Sequence, residues 1–189
     1  MVVVFADASL EELALKLAAN SAEFAALLEQ LQNATEVFTV QFGEIKSKKG
    51  EVDGEFSYTG DRDNFLLNIT RKPINFTTAQ SLAHEFQHGK DYLEGNIAFL
   101  KLGDTWNTFL LDVNDEVRAF QAALAVSTPL EKAGLVRGRV GDMSRYSHTS
   151  DLAKVVGRIP GYRKLPDKDQ RINPNHYLMA AHRLKTPRP

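Results

Sequence analysis

The sequence predicts an α+β fold in a single domain over residues 1–189. Three observations point to it. Apolar residues recur at helical spacing between Ser9 and Gln32. Short alternating or apolar runs between Val37 and Ile69 have the length of strands. Two further helical stretches follow, one from Thr77 to Gly95 and one after Asp112.

The elements follow in order. Ser9 and Glu12 have the spacing of a capping box, and Leu10, Leu13, Ala14 and Leu17 share the face behind it. Phe24, Leu27, Leu28 and Leu31 repeat that pattern, with Ser21 placed to cap a second helix. Core packing accounts for this apolar face, since the polar side is acidic and suits no membrane surface. Val37, Thr39 and Gln41 alternate with Phe38, Val40 and Phe42, and Ile45 extends the strand. Lys48-Lys49-Gly50 reads as a turn. Glu51 to Tyr58 reads as a second strand, weakened by Gly54. Gly60 to Asn64 is turn chemistry, and Phe65 to Ile69 is a short apolar strand. Together these predict a small antiparallel sheet of about three strands.

Pro73 breaks the chain before the central helix. Thr77 and Gln80 make a capping box that starts the helix near Thr78, and Gly95 suits its C-terminal cap. Residues 96–111 have no clear period and read as a loop over the core. The next helix takes Asp112 or Asn114 as N-cap and runs to about Val126, where Thr128-Pro129 closes it. Residues 130–142 read as irregular, Asp151 to Val156 as a short helix and Ile159 to Pro166 as a loop. Asn173-Pro174 opens a terminal helix through His176, Met179 and Ala180 to about Leu184, and Thr186 to Pro189 reads as a disordered tail.

Composition narrows the function. The formal net charge is -1, which gives no basic footprint for nucleic acid. The chain has no cysteine, so disulfides, thiolate metal sites and a cysteine nucleophile are excluded. The apolar start, Met1 to Phe5, is short, lacks a basic flank and meets Asp7 at once; no signal peptide is expected. No apolar run is long enough to cross a bilayer, so no membrane insertion is expected. The expected location is the cytoplasm of the producing cell, with delivery elsewhere needing a specialised secretion system.

The chemistry concentrates in His84-Glu85-Phe86-Gln87-His88, an H-E-x-x-H pattern inside the central helix. Residues four apart lie on one helix face, so His84 and His88 can aim two imidazoles at one metal ion. Glu85 stands beside that point, where a carboxylate can take a proton from water on the metal. A catalytic zinc usually takes three protein ligands. A third histidine at the spacing H-E-x-x-H-x-x-G-x-x-H is excluded, because Asp91 and Glu94 occupy the positions of its glycine and histidine. Glu116 is the best carboxylate, on a following helix whose face otherwise carries Ala119, Phe120 and Ala123; Asp112 and Asp115 are alternatives. Asp91 shares the face of His88 and could orient a ligand imidazole. The oxyanion of an amide hydrolysis needs a further donor, for which Tyr146, His148 and His176 are candidates.

Ala83-His84-Glu85-Phe86-Gln87-His88-Gly89-Lys90-Asp91-Tyr92-Leu93-Glu94-Gly95-Asn96, followed by Asn114-Asp115-Glu116-Val117-Arg118-Ala119, resembles the zincin-type effector and toxin metallopeptidases. These include type III effector peptidases and the peptidase domains at the ends of bacterial polymorphic toxins. The resemblance covers about Thr77 to Leu124. Phe86-Gln87 and Gly89-Lys90 depart from the commoner Leu-Gly or Leu-Ile and Ala-Tyr, at positions that are not ligands. The resemblance implies a gluzincin-like fold, Zn²⁺ on His84, His88 and Glu116, and Glu85 as catalyst. It also implies a protein or peptide substrate, in a host or competitor cell, and room for an inhibitor or immunity protein as partner. The competing expectation is a catalytically inactive, zincin-derived binding or structural module.

Overall fold

A computed structural model describes residues 3–45, 53–61, 63–70, 74, 76–102, 104–110, 112–134, 149–159, 162 and 179–180. They form a mixed α+β structure with five helices and two small sheets among the described residues. In chain order these are β1 (Val3–Phe5), α1 (Ala8–Asn20), α2 (Ala22–Gln32), β2 (Val37–Gly43), β3 (Gly54–Tyr58) and β4 (Asn64–Thr70). There follow α3 (Phe76–Leu93), β5 (Ile97–Leu102), β6 (Thr105–Leu110), α4 (Val113–Ala133), α5 (Thr149–Val156) and β7 (Met179–Ala180).

The first sheet has the order β1-β2-β4-β3. It corrects the expected antiparallel meander: β1 with β2 and β2 with β4 are parallel, and only β3 with β4 is antiparallel. The reason is the path of the chain. α1 and α2 form a crossover that returns β2 alongside β1 in the same direction. β3 lies beyond β4, so β4 comes back beside β2 in the same sense. The sequence reading gave the run at Val3 no strand because three residues carry almost no periodic signal. The expected alternation holds within the strands: Phe38, Val40, Phe56, Phe65, Leu67 and Ile69 are buried.

α1, α2 and α3 pack on this sheet, α4 packs on those helices, and α5 packs on α4. Asp7, not Ser9, caps α1, its carboxylate accepting from the Ser9 N–H at 2.9 Å. Ser21 caps α2 as its position predicts, accepting from the Phe24 N–H at 3.3 Å. The leucine faces of both helices are buried. α3 begins at Phe76, slightly before the expected start, and Gln80 does not cap it; its amide donates to Ser127 Oγ of α4 at 2.8 Å. Gly95 ends α3 with φ 77°. The Asn96 N–H bonds the Asp91 C=O at 2.7 Å and the Gly95 N–H bonds the Tyr92 C=O at 3.0 Å, the paired bonds of a Schellman cap.

Three segments depart from expectation. Ile97–Leu102 and Thr105–Leu110 pair antiparallel, β5 with β6, where a loop was expected. Ile97, Ala98, Phe99 and Leu100 are all buried, and a strand buried on both faces shows no alternation. α4 passes through Pro129 to Ala133. Val126 and Leu130, one turn apart, are both about fully buried, and two such side chains offset the roughly 3 kcal/mol that an interior proline costs. Met179 and Ala180 pair with Leu100 and Phe99 as β7, a strand where a helix was expected. The open edge of β5 offers backbone groups that a strand satisfies and a helix cannot. α5 matches the expected short helix, while the rest of the terminal helix and the 186–189 tail lie outside the described residues. No helix among the described residues is long and apolar enough to cross a membrane.

Candidate metal centre

α3 is held from two sides. Phe86 is fully buried and lies 5.1 Å, ring to ring, from Phe24 of α2. His84 and His88 project from the other side of the helix, toward α4. There the first turn of α4 presents Glu116, which is 3% exposed. A carboxylate in the first turn of a helix is favoured by the helix dipole.

His84 Nε2 and His88 Nε2 stand 3.1 Å apart. Glu116 Oε2 lies 3.5 Å from His84 Nε2, and Glu116 Oε1 lies 3.4 Å from His88 Nε2. Three ligands at about 2.0–2.1 Å from one ion, at tetrahedral angles, would stand about 3.3–3.4 Å from one another. The two imidazole nitrogens, and the carboxylate oxygen nearest to each, lie close to that spacing, and one ligand atom from each residue lies within 4.8 Å of the others. Glu116 Oε2 is buried and has no hydrogen-bond partner among the described residues. A buried acceptor of that kind is costly unless a cation satisfies it. The three groups fit a metal ion, and among the described residues no other such cluster occurs.

No family model matches the chain, and neither does any curated protein or solved structure. The likeness to effector and toxin peptidases therefore rests on the residues of α3 and α4 alone.

The two alternative carboxylates are occupied. Asp112 is the N-cap of α4 and accepts from the Asn114 N–H at 2.7 Å. Asp115 accepts from the Asp112 N–H at 3.0 Å, closing a capping box, and pairs with Arg118. Asp91 does not bond an imidazole as expected. Its Oδ1 accepts from Gln87 at 3.0 Å, Asn96 at 3.3 Å and Arg118 at 3.0 Å. Its Oδ2 and His88 Nδ1 are both buried without a partner among the described residues. Three donors, one of them Arg118 of α4, engage that oxygen, and Asp91 acts on His88 through charge. Tyr146, His148 and His176 lie outside the described residues.

Sequence reading missed four contributors. Phe120 packs edge-on against the His84 ring at 4.9 Å and limits its rotation. Gly54 of β3 leaves space that the Glu85 side chain occupies. Tyr162, held by its N–H to the Ile159 C=O at 2.9 Å, brings its hydroxyl within hydrogen-bonding reach of the Glu116 carboxylate. It sits in a loop where no period marks it. Arg118 bridges Asp91 and Asp115, tying the first turn of α4 to α3. The resemblance contained this arginine but gave it no role.

Arg118→Ala would leave Asp91, fully buried, with its charge partner removed. A loss of about 3 kcal/mol is expected, at the lower end for a buried pair because the arginine side chain is 34% exposed. Denaturant unfolding of the metal-free variant measures it; a change below about 1 kcal/mol would place the pair among ordinary surface pairs.

Burial and charge set the protonation states. Burial lowers His84 to about 4, with His88 adding and Glu116 opposing. Burial works against a charge on His88, but Glu116, with Glu85 and Asp91, outweighs it and raises the group to about 9. Burial raises Glu85 to about 8; His88 opposes, Glu116 and Glu55 add, and the Phe56 N–H opposes. Burial also opposes charge on Glu116, yet His88, His84 and Tyr162 hold its carboxyl below the ordinary range.

A pH dependence follows for the metal-free protein. His88 (6.5 to about 9) and Glu85 (4.5 to about 8) both hold their protons more tightly when folded. The stability they add is complete below the unfolded values and is lost as pH rises through the folded ones. His84 shifts the other way and loses stability only as pH falls below 6.5. The metal-free melting temperature is therefore expected to fall from about pH 6.5 to about pH 9. Stabilisation by added metal grows over the same interval, because ligand imidazoles must be neutral. Thermal melts with and without chelator across that range check both; a metal-free melting temperature that rises with pH contradicts the assignment.

Proposed function

We propose that the chain is a zinc-dependent metallopeptidase with a zincin-like, gluzincin-type fold. The observation that carries the proposal is the cluster of His84, His88 and Glu116, with the two Nε2 atoms 3.1 Å apart and the Glu116 carboxylate 3.4–3.5 Å from both, and with Glu85 next to it in the chain. Two nitrogens and one carboxylate oxygen suit zinc, and three ligands leave a position open for substrate. Zinc held there supplies Lewis acidity toward a peptide carbonyl and toward the attacking water.

The other steps belong to the chain. His84, His88 and Glu116 hold the metal from two helices that Asp91, Arg118 and the Gln80–Ser127 bond lock together. Glu85 takes a proton from water at its carboxylate and passes it to the leaving amine. Burial raises Glu85 to about 8 in the metal-free protein, and a cation bound beside it would bring that value down. The Tyr162 hydroxyl, bonded to Glu116 and in the field of Glu85, is a described candidate to donate to an oxyanion once it turns from Glu116. With the helix-borne motif, this reading supports a secreted effector or toxin that acts on protein.

One observation favours a second reading. Glu85, His88 and Glu116 are 4%, 6% and 3% exposed, and structural metal sites are closed. In that reading the metal joins α3 to α4 and the chain is a binding or structural module. Incubating the zinc-loaded protein with an unfolded protein mixture, with and without chelator, separates the two. The peptidase yields new fragments that the chelator abolishes. Loss of melting temperature on chelation with no fragments at any protein concentration supports the module.

A further inference from the structure

This inference rests on Glu85 being the proton-transfer group. β3 is the edge strand of its sheet and runs against α3 at Glu85. A Cβ placed on Gly54 would stand 2.5 Å from Glu85 Oε1, 2.8 Å from Cγ and 3.0 Å from Cδ. Real atoms do not approach so closely, so any side chain at position 54 must move the carboxylate or the strand. Gly54 is not among the positive-φ glycines, so its backbone is open to any residue. Glycine weakens a strand interior, and its presence here is explained by close approach.

The strand register adds an anchor. The Thr70 N–H bonds the Asp53 C=O at 3.0 Å, which places residues 53, 55 and 57 toward β4. Gly54 and Phe56 therefore turn their backbone groups to the outer edge. The Phe56 N–H donates to the Glu85 carboxylate, and the Phe56 C=O accepts from Thr108 Oγ1 of β6 at 3.2 Å. Both outward groups of Phe56 are engaged, one by the general base itself.

We infer that β3 is the positioning element for Glu85. Gly54 supplies the room and the Phe56 N–H supplies the anchor, so the carboxylate is fixed before substrate arrives. Gly54 and Phe56 are positioning residues, and both act through Glu85.

Gly54→Ala tests this in three backgrounds: the parent, Glu85→Gln, which keeps the side-chain shape, and Glu85→Ala, which removes it. In the parent and in Glu85→Gln, melting temperature is expected to fall by at least about 2–4 °C. In Glu85→Ala the same substitution is expected to leave it unchanged or raise it. Metal per chain stays as in the parent. Equal losses in all three backgrounds overturn the inference. A Gly54→Ala protein that folds only with Glu85→Ala supports it, and one that folds in neither overturns it. On a peptide that the parent cleaves, kcat should fall about 10–100-fold with KM little changed; an unaltered kcat overturns the positioning role. If the parent cleaves nothing, the peptidase reading is lost, and the melting comparison alone decides whether β3 fixes Glu85.

Discussion

Glu116→Ala is expected to abolish stoichiometric metal binding. The parent should hold about one zinc per chain after purification without chelator, and affinity in the variant should fall by more than the roughly 10–100-fold typical of losing a group that only supports a ligand. The Glu116 carboxylate lies 3.5 Å from His84 through Oε2 and 3.4 Å from His88 through Oε1, and among the described residues no other carboxylate joins the cluster. Asp112 and Asp115 are committed to the cap of α4, so neither can substitute without unwinding that turn. Metal content by elemental analysis, beside isothermal titration, reads the result. Zinc retained by the variant at parental affinity would show that the third ligand lies elsewhere.

Glu85→Gln is expected to separate binding from turnover. Glutamine preserves the shape that packs on Gly54 but cannot accept a proton. Metal content should remain that of the parent, because Glu85 is not one of the three clustered donors. Peptide cleavage should fall by about 10²–10⁴-fold, the range for removing a positioned general base. Cleavage assays on zinc-loaded parent and variant, each with its metal content measured, decide it. Undiminished cleavage by Glu85→Gln would remove Glu85 from the chemistry and with it the main support for a peptidase of this type.

The helices were largely legible because their signals are local. The buried faces of α1 and α2 follow from leucine spacing, and Ser21 and Gly95 act where their chemistry puts them. Caps that depend on competition were misread: Asp7 lies two residues before Ser9 and takes the bond first. The sheets were less legible. Parallel pairing of β2 with β1 and β4 joins residues far apart in sequence, and β5 hides its strand character by burying both faces. β7 forms only because β5 has an edge to pair with.

The same division runs through the site. His84, Glu85 and His88 belong to one helix, and the 3.6-residue turn alone places two of them on one face with the third beside it. Sequence by itself therefore gave two candidate donors and the candidate base, and narrowed the candidate third donor to three nearby acids. Only the tertiary structure shows which of those acids lies beside the histidines. The choice depends on which side chains the cap of α4 consumes and on how Arg118 docks that helix against Asp91. Gly54 and Phe120 meet the histidine helix, and Tyr162 meets Glu116 of α4, only through packing between segments. No periodicity within a segment encodes a contact between segments, and so no reading of the chain in order could have placed them there.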